Sequence, residues 1–462
     1  MSELATTNSA IATLCSPPPA LPIAAATAER RDPFAWLLNA TISVGLVSLL
    51  YLAWNGHMGG VWFAASEAPA WARGLERPSA ILMSMGCLLL AFRTVLWWRY
   101  RPFASATWEQ CPTMTVIIPA FNEGAMVART IDSVAAAAYP GARLQVIVVD
   151  DGSTDDTWQH IRRAAADYPG LVETVRFARN QGKRAALETG FERARGTVVV
   201  TVDSDSVIER ETLLAIAGPF RDPKVGAVAG KVRVFNDEAG VIPRMLRVRY
   251  ILSFDFIRAV QSTYSTVLCC PGALAAYRAS ALREVLKEWS SQTFLGAPCT
   301  YGEDRALTNS LLARGYDAVY QRTAVVQTVV PSNYSQLCKM FLRWDRSYVR
   351  EELRFAAIVW KRPLGKMLLA LVDTWLTNLR FPVGYACWLL LLVLSLHHPL
   401  VLVRTLLAIG LVASLNTFYY LKSERSWIFV FGILYSYFSF FGLSWILPYA
   451  AVTVRSRGWL TR

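Results

Sequence analysis

The alternation of apolar and polar positions divides the chain into three zones. A tail over residues 1–32, rich in Ala, Thr, Ser and Pro, shows no lasting hydrophobic period and reads as disordered. From Pro33 to Trp54 the chain is almost continuously apolar. That length matches the roughly 20 residues that cross a bilayer as a helix, and it exceeds the apolar region of a signal peptide. A second apolar stretch runs from Ala80 to Trp98 and closes on Trp97-Trp98-Arg99-Tyr100-Arg101, aromatic residues followed by positive charge. Arg30, Arg31, Arg99 and Arg101 flank the outer ends, whereas Glu67, Arg73, Glu76 and Arg77 cancel in the loop between. Cations at both outer flanks place those flanks, together with the domain after the second stretch, in the cytoplasm.

The middle zone, from about 112 to 355, has the pattern of a soluble domain. Met114 to Pro119, Leu144 to Val149 and Val198 to Val202 are short β-branched runs, the pattern of parallel strands buried on both faces. Helical segments alternate with them over 123–138, 154–167 and 182–195. This alternation predicts βαβ units in a doubly wound, mostly parallel sheet with ligands at the carboxyl ends of the strands. Beyond Pro363 apolar stretches return near Phe381 to Leu396, Leu400 to Leu421 and Trp427 to Val454. Three single spans would leave Arg455-Ser456-Arg457 outside, against the charge rule. Either Lys366 to Trp375 also enters the membrane, or the last stretch breaks near Gly442 and Pro448 into a re-entrant pair.

The expected organisation is therefore a tail over 1–32, two membrane helices over 33–100, an α/β catalytic domain over 112–332, amphipathic interface helices over 333–378, membrane helices over 379–454 and a cytoplasmic end over 455–462. The expected location is the plasma (inner) membrane, crossed several times, with the catalytic domain in the cytoplasm and the lipid bilayer as a partner.

Composition supports this division. Of 462 residues 54% are hydrophobic and 18% charged, which argues against a purely soluble enzyme. The 47 basic and 34 acidic side chains leave a net +13, excluding an acidic solvating protein. The cations sit beside the apolar stretches without a nucleic-acid motif, so no nucleic-acid partner is expected. Eight cysteines without CxxC spacing point to reduced thiols.

Acidic residues cluster where the buried strands end. Asp203-Ser204-Asp205 follows one apolar run, and strand alternation would turn both carboxylates toward one hard cation holding a diphosphate. The same residues could instead cap a helix beginning near Ser206. Asp150-Asp151-Gly152-Ser153 follows another strand, where capping by Ser153 or Thr154 is the simpler use. Asn180-Gln181-Gly182-Lys183-Arg184 enters a helix whose N–H groups and Lys183 suit an anion. Glu303-Asp304 opens a further helix; it serves either the helix dipole or proton transfer from an attacking hydroxyl. Lys339, Arg343, Arg346, Arg350 and Arg354 recur at spacings of three and four beside Phe341, Trp344, Tyr348 and Phe355. That face suits either anionic lipid, or a diphosphate at Arg343 with a sugar stacked on Trp344.

Taken in order, Pro119-Ala120-Phe121-Asn122-Glu123, Val149-Asp150-Asp151-Gly152-Ser153, Asp203-Ser204-Asp205, Gly302-Glu303-Asp304 and Arg343-Trp344 resemble the motifs of processive family-2 glycosyltransferases of the GT-A fold. The set is most similar to hyaluronan synthases and the related rhizobial chitooligosaccharide synthases, above all from Gln292 to Asn309. The resemblance implies a UDP-sugar donor, UDP-GlcNAc with or without UDP-GlcUA, and a growing polysaccharide acceptor. It implies donor contacts from Ala120, Phe121, Glu123, Asp150, Asp151, Lys183, Asp203, Arg343 and Trp459. It further implies Mg2+ or Mn2+ on Asp203 and Asp205, acceptor contacts from Cys270 and Trp344, and catalytic roles for Asp205, Glu303 and Asp304, the last as general base. Three positions depart from the pattern: Met340 replaces Gln in QxxRW, Pro271 replaces Ser beside Cys270, and Leu460 replaces Gly after Trp459.

Overall fold

The structure, a computed structural model, describes residues 33–54, 76–397 and 399–456. The expected disordered tail and Trp459 lie outside the described residues. Ten strands occur in chain order: β1 Met114–Ala120, β2 Leu144–Asp150, β3 Val172–Arg176, β4 Val198–Thr201, β5 Ser206–Ile208, β6 Val225–Val234, β7 Ala275–Arg278, β8 Thr293–Phe294, β9 Ala297–Pro298 and β10 Asp317–Thr328. Eight form one sheet in the order β3-β2-β1-β4-β7-β6-β10-β5, and β8 pairs with β9 in a separate hairpin.

The three runs marked as buried strands become β1, β2 and β4, at the positions expected. Alternation along β1 sends Val116 and Ile118 into one apolar layer with Val127, Ile131 and Ile161. Ile117 enters the opposite layer with Leu187 and Phe191. Each of these three β1 side chains is fully buried, contributing about 1.5–3 kcal/mol apiece as an upper estimate. The flanking helices are Met126–Ala135, Thr157–Asp167 and Lys183–Arg193. The sheet is less parallel than expected. β7 runs antiparallel to both β4 and β6, and β5 runs antiparallel to β10, so the far half is mixed. Ser206 therefore starts a strand rather than a helix.

Outside the sheet, helices Pro33–Trp54 and Glu76–Arg99 coincide with the two N-terminal apolar stretches. One helix, Leu364–His397, runs unbroken through the boundary expected at 378 and carries Pro382 inside it. Its stretch Leu364–Val393 is long and apolar enough to cross a membrane, and Pro33–Trp54 holds a shorter apolar stretch, Phe34–Leu49. The last apolar region is broken: Trp427–Leu443 and Ile446–Val452 bend by 43° beside Gly442, where the sequence suggested an interruption.

Polar side chains tie these helices to one another and to the domain. Arg93 Nε lies 2.6 Å from Asp373 Oδ1, and Tyr264 donates to Asp373 Oδ2 at 2.9 Å. At the end of helix Leu400–Glu424, Glu424 accepts from Lys231 of β6 at 2.7 Å, while Ser423 donates to Asp255 at 3.0 Å. Asp255 also accepts from Arg322 of β10 at 2.7 Å. These buried charges are each paired, the condition for tolerating a charge away from water.

Candidate active site

The carboxyl ends of β1, β2 and β4 form one rim. Ala120 and Asp150 are register partners at the ends of β1 and β2, and the Asp151 N–H donates to the Ala120 carbonyl at 2.8 Å. Asn122, with φ of 54°, donates from its N–H to Ser153 Oγ at 3.0 Å and accepts from the Thr154 N–H at 2.9 Å. The Glu123 N–H donates to Thr157 Oγ1 at 2.8 Å. Phe121 is half-buried between them. Asp150 is fully buried; its Oδ1 accepts from the Ser153 N–H at 3.1 Å, and Arg176 Nε lies 3.1 Å from Oδ2. That second oxygen accepts no hydrogen bond from the described residues and is held by the Arg176 ion pair alone.

Asp151 serves the neighbouring loop. Its Oδ1 accepts from the Gln181 N–H at 2.7 Å, and its Oδ2 from the Gly182 N–H at 2.8 Å and Asn180 Nδ2 at 3.0 Å. Burial pushes this carboxyl above its ordinary range, and the two N–H groups reverse only part of the rise. The loop it fixes delivers Lys183 as the first residue of its helix. Lys183 Nζ lies 2.5 Å from Asp203 Oδ1 and 3.1 Å from Glu303 Oε1. Burial alone would lower the Lys183 ammonium, but Asp203 and Glu303 hold it well above its ordinary range.

Asp203-Ser204-Asp205 lies in the turn between β4 and β5, so strand alternation does not set its geometry. Asp205 is buried, and its Oδ1 accepts from Thr328 of β10 and from Ser206, each at 3.1 Å. Among the described residues, no three His, Cys, Asp or Glu side chains gather as a ready cation cage. Two hard carboxylates at the strand-end rim nevertheless fit Mg2+ or Mn2+, ions commonly held by one or two carboxylates with phosphate oxygens and water.

Gly302, left-handed at φ 73°, starts the helix Glu303–Ala313 and turns Glu303 and Asp304 into the site. A Cβ there would collide with Ser347 Oγ, so only glycine lets this turn pack against helix Tyr334–Ile358. The Glu303 carbonyl accepts from Trp289 Nε1 at 2.8 Å. Burial pushes the Glu303 carboxyl up, but Lys183 and Arg343 outweigh it and hold the group well below its ordinary range. Asp304 behaves oppositely: burial and the adjacent Glu303 charge raise it, with Lys183 opposing. Two neighbouring carboxyls are thus driven apart, the pattern expected where one stays ionised and the other handles a proton.

Gly272 joins these groups. Its N–H lies 3.4 Å from Asp304 Oδ2, and a Cβ on it would meet Lys183 Nζ at 2.8 Å and Asp203 Oδ1 at 3.2 Å. Cys270, expected at the acceptor, is instead fully buried in the apolar layer with its N–H donating to Thr308 Oγ1 at 3.1 Å. The thiol that reaches the site belongs to Cys269, with Sγ 3.5 Å from Asp304 Oδ2. Sequence reasoning missed it because two adjacent cysteines differ only in which way the loop turns each.

On helix Tyr334–Ile358, Trp344 packs against Tyr250 (centroids 6.0 Å apart), Phe254 (6.1 Å) and Phe341 (5.6 Å). Met340 lies beneath this cluster and accepts from Tyr250 Oη at 3.7 Å, taking the place of an amide in the family pattern. The expected cationic face does not lie on lipid throughout. Arg346 is buried and donates to Thr453 at 3.0 Å, while buried Arg350 donates to Glu351 at 2.9 Å and to the Tyr301 carbonyl at 2.6 Å. Buried, protein-bonded guanidinium groups brace the site from behind; Lys339 stays exposed. Tyr301 also donates to the Ser456 carbonyl at 2.9 Å, which ties the last described residue to the loop before Glu303.

Residues 115–286 match the family Glycosyl transferase family 2. The chain is 32% identical over 362 residues to an N-acetylglucosaminyltransferase of Azorhizobium caulinodans, covering 76% of this chain and 87% of that one. It is also 30% identical over 387 residues to a hyaluronan synthase of Streptococcus pyogenes, covering 82% and 90%. A solved mannosyltransferase from Pyrobaculum calidifontis, in complex with GDP-Man and Mn2+, superposes with a TM-score of 0.55 at 23% identity, covering 79% of this chain and 98% of that one; the likeness is one of fold. With the acid-lined rim at the strand ends and this extent of similarity together, the chain belongs to glycosyl transferase family 2 and is a glycosyltransferase of the GT-A fold.

Proposed function

We propose that the chain is a membrane-embedded, inverting, processive β-glycosyltransferase that transfers GlcNAc from UDP-GlcNAc to a growing polysaccharide. In this reading the domain faces the cytoplasm, and the apolar helices on either side cross the plasma membrane and export the product. The observation that carries it is the junction at Gly272, whose N–H touches Asp304 while its Cα faces Lys183 and Asp203. A proton acceptor and a diphosphate-binding group thereby lie on either side of one residue.

Asp150 Oδ2, ion-paired with Arg176 but without a hydrogen bond, accepts from the uracil imide, and Ala120, Phe121 and Glu123 line the nucleoside's side of the rim. Asp151 acts through the loop it holds, and Lys183 leaves Asp203 to meet the diphosphate. Asp203 and Asp205 would hold Mg2+ or Mn2+, which would supply charge neutralisation for the diphosphate. As the acceptor hydroxyl attacks the anomeric carbon, its proton passes to Asp304. The bond to the UDP oxygen breaks with its electron pair leaving on the diphosphate, where Arg343 and Lys183 stabilise the charge. Glu303 remains ionised and orients Lys183, and Trp344 stacks on the acceptor sugar.

Membranes carrying the protein, supplied with a divalent metal and UDP-GlcNAc alone, UDP-GlcUA alone or both, test the reading. Polymer from UDP-GlcNAc alone identifies a chitooligosaccharide-type synthase, a reading compatible with the similarity to N-acetylglucosaminyltransferases. Polymer only with both donors identifies a hyaluronan synthase, a reading equally compatible with the similarity to that enzyme. A single-sugar glycolipid would replace processive synthesis with transfer to a lipid carrier. Polymer formation unchanged in Asp304→Asn would refute the base.

A further inference from the structure

Cys269 is used by none of the roles above, yet its thiol points at the carboxyl assigned as the proton acceptor. Sγ lies 3.5 Å from Asp304 Oδ2, the same oxygen that faces the Gly272 N–H at 3.4 Å. The other carboxylate oxygen, Oδ1, accepts from the Arg305 N–H at 2.7 Å.

The backbone around Cys269 is fixed on both sides. Its carbonyl accepts from Arg258 Nε at 2.9 Å. The following N–H, of Cys270, donates to Thr308 Oγ1, which itself donates to the Asp304 carbonyl at 2.8 Å. The loop is thus tied to the helix that carries Asp304, one turn along from it. With the backbone held, the half-buried thiol has little freedom to turn from the carboxylate. Burial, reinforced by the Asp304 charge, pushes the thiol well above its ordinary range, so it remains S–H and donates to the carboxylate it faces.

We infer that Cys269 is a positioning residue for proton transfer: its S–H donates to Asp304 Oδ2 and, with the Gly272 N–H, fixes the plane of the carboxylate that receives the acceptor proton. The inference rests on Asp304 being the base. A donor to the ionised form favours that form, so removing it raises the pH at which Asp304 gives up its proton. The charged groups acting on Asp304 are Glu303, Lys183 and Asp203, those acting on Cys269 besides Asp304 are Arg258 and Arg305, and none of them is altered by a change at Cys269.

The test compares Cys269→Ala, Cys269→Ser and Asp304→Asn in membranes supplied with UDP-GlcNAc and metal. Rates are measured across pH, and UDP affinity by calorimetry on the purified full chain. Cys269→Ala is expected to bind UDP like the unaltered protein, to lose three- to tenfold in kcat, and to shift the acid limb of its rate profile upward by roughly half a unit to one unit. Cys269→Ser, which keeps a donor, is expected to return the limb toward its original position. An unshifted limb in Cys269→Ala, or equal shifts in the Ala and Ser variants, overturns the inference while Asp304→Asn stays inactive. Activity in Asp304→Asn overturns the base and this inference together, so the two failures are told apart.

Discussion

Replacing Gly272 by Ala probes the junction on which the proposed chemistry depends. The backbone at Gly272 is not left-handed, so alanine introduces contact rather than torsional strain. Its Cβ would stand 2.8 Å from Lys183 Nζ and 3.2 Å and 3.5 Å from the two Asp203 oxygens. An ordinary contact needs about 3.5 Å, so the ammonium must withdraw by roughly 0.7 Å. Opening the present 2.5 Å pair by that amount weakens its Coulomb attraction by about 1.5 kcal/mol at an effective dielectric of about 20. Solvent at these side chains, 23% and 29% exposed, reduces this to about 1 kcal/mol. The fold should therefore persist, while the methyl group occupies the face on which donor and base meet. Calorimetry with UDP and Mn2+ and initial rates against UDP-GlcNAc are expected to show five- to tenfold weaker binding and a matching rise in KM, with a Tm lowered by only a few degrees. Unchanged UDP affinity and KM would show that Gly272 does not border the donor, and the reasoning would fail.

Glu303→Gln should separate stability from catalysis. The folded-state value of Glu303 is depressed, so its pairing with Lys183 contributes stability above the ordinary glutamate value, about 4.3, and loses it as pH falls through the folded value. The Tm advantage of the unaltered protein over Glu303→Gln should accordingly hold steady from pH 7 to about pH 5 and shrink as pH falls below about 4.3 toward about 2, and an advantage that stayed constant across that lower range would contradict the pairing. In the same variant Asp304 loses the neighbouring charge that raises it, so the acid limb of activity should move to lower pH. At the base of the apolar helices, Arg93→Leu leaves Asp373, 1% exposed, without its cation and should destabilise the protein by about 3–5 kcal/mol. Arg93→Leu with Asp373→Leu should recover most of the loss in detergent unfolding, and a single variant as stable as the double would refute the buried pair.

The legible parts of the fold were those with a period. β1, β2 and β4 are unbroken β-branched runs, and the helices between them keep apolar residues on one face, so local sequence alone located them. β7 was hidden because Ala275-Ala276-Tyr277-Arg278 has little strand character, and it becomes a strand only where β4 and β6 offer their edges. The cationic spacing of helix Tyr334–Ile358 was likewise visible, but not its inward direction. Glu351 and the Tyr301 carbonyl supply the partners of Arg350, and Thr453 arrives from the far end of the chain.

The same division runs through the site. The sequence by itself determined that acids stand at strand ends, that Lys183 opens a helix, that Glu303 and Asp304 begin another, and that apolar helices flank the domain, because each depends on neighbours within a few residues. Only the tertiary structure decided that Cys269 rather than Cys270 meets Asp304, that Lys183 bridges Asp203 and Glu303, and that Gly272 borders both. Those relations bring together side chains from different strands and helices. Their ionisation is set by burial and by through-space charge, which depend on distances that residue order does not contain.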